Sequence, residues 1–302
     1  MRRAVIDVGS NSVLLLVSEF SQGTWNPVIE TTAVTALGEG TKASRLLSDR
    51  AITDTLAALR QAFALAQSEG AVKIEAGVTM AARIATNTPD FLARSEAQST
   101  PVRVLSGDEE AELGFLSVAE DPTFESHRLL AIIDVGGHST ELVVAERSDP
   151  WVTHFRKSFP IGTLALRGGL LHEETPSGLD ILRASKEIDD LIGMSSLPGL
   201  NLYAVVLGAT GTNLVTIRDR MTKWDPNRVH GAYLDFEEVS KAVGWLSTLT
   251  DHERALVPGM EMGREKTIHL GSLILERFLH SLRVLGCGVS VRGWRHALLE
   301  RM

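Results

Sequence analysis

A chain of 302 residues, 44% hydrophobic and 23% charged, has the composition of a soluble globular protein and the length for two domains with separate cores. Its net charge of −8 excludes the basic face of a general nucleic-acid binder, so a polyanion would have to be drawn by a local patch. The single cysteine, Cys287, excludes an internal disulfide, and no apolar run reaches the ~18 residues of a membrane span. With no signal peptide after Met1-Arg2-Arg3, these features predict a cytoplasmic protein with no membrane partner.

In chain order, residues 3–20 read as a hairpin and 26–35 as a third strand, closed by the turn Leu37-Gly38-Glu39-Gly40. Ser48 is placed to cap a helix with Ile52, Leu56, Leu59, Phe63 and Ala66 at helical spacing, ended by Gly70. A strand at 74–79 leads into a short helix carrying Arg83, whose guanidinium is suited to two-pronged donation to phosphate. After a strand at 102–105 comes Ser106-Gly107-Asp108-Glu109-Glu110-Ala111-Glu112. Acids in a first turn suit the helix dipole, yet strand ends are where α/β folds gather ligands, so one carboxylate is also a candidate general base.

The stretch from Ala131 to Val144 repeats that from Ala4 to Val17, with eight of fourteen positions identical at a constant offset of 127. Each copy is strand, Asp-Val-Gly turn, serine, strand. Glycines allow backbone N–H groups to approach an anion, hydroxyls add donors, and an aspartate beside them calls for a cation or a positioned water. One copy is explained equally well by an ordinary hairpin; two copies point to phosphate handling and to a duplicated fold whose turns face each other across a cleft.

Further on, Thr175-Pro176 is expected to open a long helix with Leu179, Leu182, Ile188, Leu191 and Ile192 on its apolar positions. The strand 203–207 runs into Gly208-Ala209-Thr210-Gly211-Thr212-Asn213, a third turn suited to an anion at a helix N-terminus. Arg218, Arg220, Lys223, Arg228 and His230 form a basic cluster, read either as a solvated face or as a docking strip for extended polyphosphate. Leu270, Leu273, Ile274 and Phe278 make a core stripe, a strand at 284–289 holds Cys287 as a buried thiol, and a helix with Trp294 and Leu298 closes the chain. No histidine pair has zinc spacing.

Together, Asp7-Val8-Gly9-Ser10-Asn11-Ser12, Ser106–Ala111, Asp134-Val135-Gly136-Gly137-His138-Ser139-Thr140-Glu141, Gly208–Asn213 and Gly293-Trp294-Arg295 resemble the exopolyphosphatase/guanosine pentaphosphate phosphohydrolase (Ppx/GppA) family, motif by motif and in order. The resemblance implies an α/β fold of duplicated ribonuclease-H-like domains in the actin/Hsp70/sugar-kinase superfold. The domains would be 1–118 and 119–289, with the helix about 290–302 packing back on the first. It implies release of terminal phosphate from inorganic polyphosphate, or conversion of pppGpp to ppGpp, with Mg²⁺ or another divalent cation, by a homodimer. Glu110 would then activate water; Asp134 and Glu141 would position metal and water, with Asp7 as a further metal ligand. Ser10, Asn11, Ser12, Arg83, Gly136, Gly137, His138, Ser139, Thr140, Gly208, Thr210 and Gly211 would hold substrate.

The chain departs from the family pattern at His138 (usually glycine), Ala36 (commonly arginine), Lys266 (an acid) and His296-Ala297 (Glu-Gly), which bears on substrate choice and rate. It also ends before the additional helical domains of the long members. Two other functions share the motifs. An ATP-dependent kinase would need an acceptor-activating Gly-x-Asp-x-Gly, which is missing; a non-catalytic (p)ppGpp or polyphosphate binder would have no use for Glu110.

Overall fold

The computed structural model describes residues 1–193 and 201–302. Among the described residues, eleven strands form two sheets. The first holds β1 (Arg2–Val8), β2 (Ser12–Ser21), β3 (Thr24–Val34), β4 (Ala71–Val78) and β5 (Arg103–Val104) in the order β3-β2-β1-β4-β5. The second holds β6 (Leu129–Val135), β7 (Thr140–Glu146), β8 (Val152–Phe159), β9 (Tyr203–Leu207), β10 (Tyr233–Asp235) and β11 (Gly286–Val289) in the order β10-β11-β9-β6-β7-β8. Read from β8, the second order repeats the first, with β10 as an added edge strand. In each sheet the first three strands are antiparallel and the fourth runs parallel to the first. This is the duplicated ribonuclease-H-like α/β arrangement, present twice in one chain.

The helices are α1 (Thr41–Ser44), α2 (Asp49–Ser68), α3 (Met80–Ile84), α4 (Thr88–Ala97), α5 (Gly107–Ala119), α6 (Thr163–Arg167), α7 (Gly178–Ile192), α8 (Ala209–Arg218), α9 (Pro226–Val229), α10 (Phe236–Ser247), α11 (Asp251–Ala255), α12 (Ile268–Leu282) and α13 (Trp294–Arg301). The chain divides into two compact units, Met1–Leu113 with Trp294–Met302, and Gly114–Gly293.

In the first unit, alternate residues of β1 and β2 (Ala4, Ile6, Val8, Val13, Leu15, Val17) pack against the stripe Ile52, Leu56, Leu59, Phe63 and Ala66 of α2. Ser48 caps that helix by accepting from Ala51 N–H. The helix α13 packs on β1 and β2, and Arg295 Nη2 donates to Glu30 Oε2 of β3 at 2.9 Å. Burial pushes the Glu30 carboxyl up, but His296 and Arg295 together outweigh it and hold it at about 2. His296 thus sits as a buried partner of a carboxylate.

In the second unit, Ala131, Ile133, Val135, Leu142 and Val144 share one face with α12, whose Leu270, Leu273, Ile274 and Phe278 are all buried. Cys287 is fully buried there and burial pushes its thiol up to about 12, as befits a packing residue. The long helix α7 corrects two expectations. It starts two residues later than Thr175-Pro176, because Ser177 and Asp180 form a reciprocal capping box. Its core face is Ala184, Ile188 and Ile192, while Leu179, Leu182 and Leu191 are 55, 65 and 42% exposed. Counting leucines misplaced the stripe; Ala184 anchors it at the true period.

Candidate active site

The two repeated turns have one frame. Gly9 N–H donates to Ser12 O at 2.9 Å, and Gly136 N–H donates to Ser139 O at 2.9 Å. In the first, the segment after β3 turns its N–H groups onto the turn: Thr35 and Ala36 donate to Asn11 O, and Gly38 to Ser10 O at 2.8 Å. In the second, the N-terminus of α6 does the same: Thr163 donates to Gly136 O at 3.0 Å, and Leu164 and Ala165 to Gly137 O at 2.7 and 3.1 Å. A trans peptide puts its N–H opposite its C=O. Occupied carbonyls on one side therefore aim the N–H groups of Asn11 and Ser12, and of Gly137 and His138, to the other side. Successive N–H groups so aimed make an anion-binding concavity.

Gly162 makes this possible in the second copy, since a Cβ there would overlap the Gly137–His138 peptide. Sequence reasoning missed Gly162. A usable signal was present, because an apolar-Gly pair, Leu37-Gly38 and Ile161-Gly162, follows the third strand of each copy.

The strand register places the acids. Asp7 stands opposite Leu14 in β2, while at the same offset Asp134 stands opposite Glu141 in β7. Opposed residues of an antiparallel pair share a face, so Asp134 and Glu141 lie side by side on the sheet face away from Ile133 and Val135. Ser158 of β8 continues that row and its hydroxyl donates to Glu141 Oε1 at 2.6 Å. Ser158 was not anticipated; only the pairing of β8 reveals it. Gly208 approaches from β9 with φ +79, and a Cβ there would lie 3.1 Å from Asp134 Oδ1. His138, Ser139 and Glu141 are each buried to within 4%.

Three expected substrate ligands also have packing roles. Thr140 is fully buried and its hydroxyl donates to Ile161 O at 2.7 Å, bracing the loop before Gly162. Thr210 packs against α12 at Gly271, and Gly211 lets α8 lie directly on Val206. The basic cluster after α8 is largely neutralised locally. Arg218 donates to Asp219 and Tyr233 O, Arg228 also reaches Asp219, and His230 is held by Asp121 and Thr123. These ties favour a solvated, self-paired face over a docking strip.

In the first unit, Glu110 on the first turn of α5 and Arg83 on α3 form an ion pair of 2.8 Å, with side chains 12 and 17% exposed. Arg83 Nη1 also donates to Leu105 O at 2.8 Å, which fixes the guanidinium against the strand end. Burial pushes the Glu110 carboxyl above its usual range while the Arg83 charge and hydrogen bond pull it down. Its neighbour Glu109 pairs outward with Arg103 at 2.6 Å. Glu110 thus has the raised basicity that suits a proton acceptor.

Among the described residues no cluster of three or more His, Cys, Asp or Glu side chains encloses a metal. The Asp134–Glu141 pair nevertheless suits a hard cation such as Mg²⁺, which takes one or two carboxylates and leaves other positions to water and phosphate. No helix among the described residues is long and apolar enough to cross a membrane.

Comparisons with known proteins give the family. Residues 16–302 match the model of the Ppx/GppA phosphatase family. Exopolyphosphatase 2 of Mycobacterium tuberculosis is 26% identical over 93% of this chain and 91% of its own length. Exopolyphosphatase 1 of Mycobacterium leprae is 26% identical over 100% of this chain and 89% of its own. The crystal structure of the Aquifex aeolicus Ppx/GppA family member superposes with a TM-score of 0.82 at 26% identity, covering 99% of this chain and 96% of that one. An exopolyphosphatase from Cytophaga hutchinsonii, 20% identical, shares the fold at a TM-score of 0.89. The chain belongs to the Ppx/GppA phosphatase family.

Proposed function

We propose that this protein is an exopolyphosphatase-type phosphohydrolase that removes terminal phosphate from inorganic polyphosphate, and that pppGpp is a second substrate. The observation that carries the reading is the second turn. Its carbonyls are taken up by α6, so the N–H groups of Gly137 and His138 are aimed at a ligand, beside the adjacent carboxylates Asp134 and Glu141.

Phosphoryl transfer to water needs a held phosphate, neutralised equatorial oxygens and a positioned nucleophile. The Gly136–Ser139 turn binds phosphate through backbone N–H groups and the Ser139 hydroxyl; Ser10, Asn11 and Ser12 offer the same set in the first copy. Arg83 is assigned two tasks, holding Glu110 ionised and lending its guanidinium to a phosphate oxygen. Glu110, made more basic by burial, accepts the proton of the attacking water. Asp134 and Glu141 would hold Mg²⁺, which when bound supplies charge neutralisation at the phosphate oxygens. Ser158 orients Glu141 for that task. The buried thiol of Cys287 suits a cytoplasmic setting, and a homodimer is part of the same family reading.

The test is phosphate release with Mg²⁺ from medium-chain polyphosphate, pppGpp and ATP side by side. Release from polyphosphate ahead of ATP is the expected result. Saturable binding of polyphosphate with no release from any substrate would refute the hydrolase and leave a binding protein.

A further inference from the structure

The two ends of the Arg83 guanidinium have unlike surroundings. Nη1 donates to Leu105 O and to Glu110 Oε2, each at 2.8 Å. Nη2 instead donates to Met80 Sδ at 3.6 Å, from the start of the same helix α3. Thioether sulfur is a weak acceptor, whereas a phosphate oxygen makes short, charge-assisted bonds to guanidinium. Met80 therefore steadies Nη2 and yields it readily to an anion.

That balance depends on the oxidation state of the sulfur. Thr79, Ala81 and Ala82 around it are buried, but Met80 itself is partly exposed, so a small oxidant reaches the thioether. With a peroxide, a sulfur lone pair attacks one peroxide oxygen, the O–O bond breaks, and the other oxygen leaves as water. Sulfur is oxidised by two electrons and the peroxide is reduced. The product is a sulfoxide, in which a polar S=O has replaced the weak acceptor. The unbranched methionine side chain has three rotatable bonds with which to turn that oxygen onto Nη2.

We propose that Met80 is an oxidation site through which peroxide lowers substrate affinity: its sulfoxide occupies the Arg83 Nη2 that a substrate phosphate uses. Nη1 keeps its bonds to Glu110 and Leu105, so the effect falls on binding and leaves the proton acceptor in place. The inference rests on the assignment of Arg83 to phosphate made above. A leucine at position 80 would fill similar space with no sulfur to oxidise.

The experiment treats the intact protein with hydrogen peroxide and follows each methionine by peptide mass spectrometry. Calorimetric affinity for inorganic tripolyphosphate, and the KM and kcat of phosphate release, are measured before and after. Met1 and Met262, 60 and 91% exposed, oxidise as well, and Met80→Leu retains both as an internal control. In wild type, affinity is expected to fall and KM to rise about tenfold as Met80 sulfoxide accumulates, the scale of one charge-assisted hydrogen bond, with kcat changed less. A methionine sulfoxide reductase should restore both, and Met80→Leu should give the same affinity with and without peroxide. Met80→Gln, which carries a permanent carbonyl acceptor, is expected to bind weakly before any treatment. Unchanged affinity once Met80 is oxidised, or an equal loss in Met80→Leu, overturns the proposal. Failure of the untreated wild type to bind tripolyphosphate would instead overturn the phosphate reading on which it rests.

Discussion

The turn at Gly9–Ser12 and the turn at Gly136–Ser139 are one piece of backbone used twice, and they differ in what stands around them. Both close with the same Gly-to-Ser hydrogen bond at 2.9 Å and both have their carbonyls covered by the segment after the third strand. Opposite the strand-end aspartate, however, the first copy has Leu14 and the second has Glu141, itself held by Ser158. After the parallel fourth strand, the first copy sends α3 with Arg83, paired to Glu110, and the second sends Gly208 close to Asp134. One turn thus stands in two settings, with adjacent carboxylates in one copy and a buried Arg83–Glu110 ion pair in the other; in the proposed reaction the first would hold the cation and the second would take the proton.

That division of labour can be broken directly. Glu141→Leu makes the second copy resemble the first at this position. It is expected to lower polyphosphate hydrolysis more than about 100-fold and to remove its response to Mg²⁺, since loss of even supporting groups around a metal costs about 10–100-fold. Phosphate release across a Mg²⁺ titration measures this. Unchanged cation dependence would move the metal away from Glu141.

The shared frame is tested by matched substitutions. A Cβ on Gly136 would come 2.8 Å from Ser139 O, whereas on Gly9 it would come 3.3 Å from Ser12 O. Chemical denaturation should show Gly136→Ala losing about 1–3 kcal/mol by overpacking, with Gly9→Ala clearly milder. Equal losses would mean the two turns are not held to different tolerances.

The asymmetry in proton chemistry gives a pH signature. Burial raises the Glu110 carboxyl and Arg83 opposes it, so the acid limb of kcat/KM should lie above the ordinary carboxylate range. In Arg83→Met the opposing charge is gone and the limb should move to still higher pH, along with weaker substrate binding. A limb that stays in place would separate Glu110 from the proton transfer.

A smaller effect concerns stability in the second unit. His269 is buried with neither ring nitrogen hydrogen-bonded; burial, then the charges of Arg254 and Arg167, lower it to about 3. The unfolded imidazole takes a proton near 6.5 and the native one does not, so native stability should fall as pH drops from 6.5 toward 3. The slope contributed is at most about 1.4 kcal/mol per pH unit. His269→Leu should flatten that slope, read from denaturation midpoints at pH 7 and 5.

Much of this organisation was legible in the chain because it is local. The 127-residue repeat, the α2 stripe and its Ser48 cap, and the strand ending at Leu207 are patterns over a few residues, and each lies where the spacing put it. The illegible parts depend on contacts distant in sequence. Ser158 becomes a partner of Glu141 only through the pairing of β8 with β7, and the packing of Thr140 on Ile161 and of Thr210 on α12 likewise depends on contacts distant in sequence. The basic cluster after α8 left a solvated face and a docking strip both open because Asp121 and Asp219, which pair with it, carry no signal of their own. The leucines of α7 misled because hydrophobicity was counted without the alanine that sets the phase.

In the proposed reaction Glu110 is the proton acceptor. The most direct test is terminal phosphate release from medium-chain polyphosphate by wild type and Glu110→Gln, with polyphosphate affinity measured on both. If Glu110 takes the proton, kcat falls about 10²–10⁴-fold, the range for a general base, with affinity changed only a few-fold. Release at the wild-type rate in Glu110→Gln would contradict it.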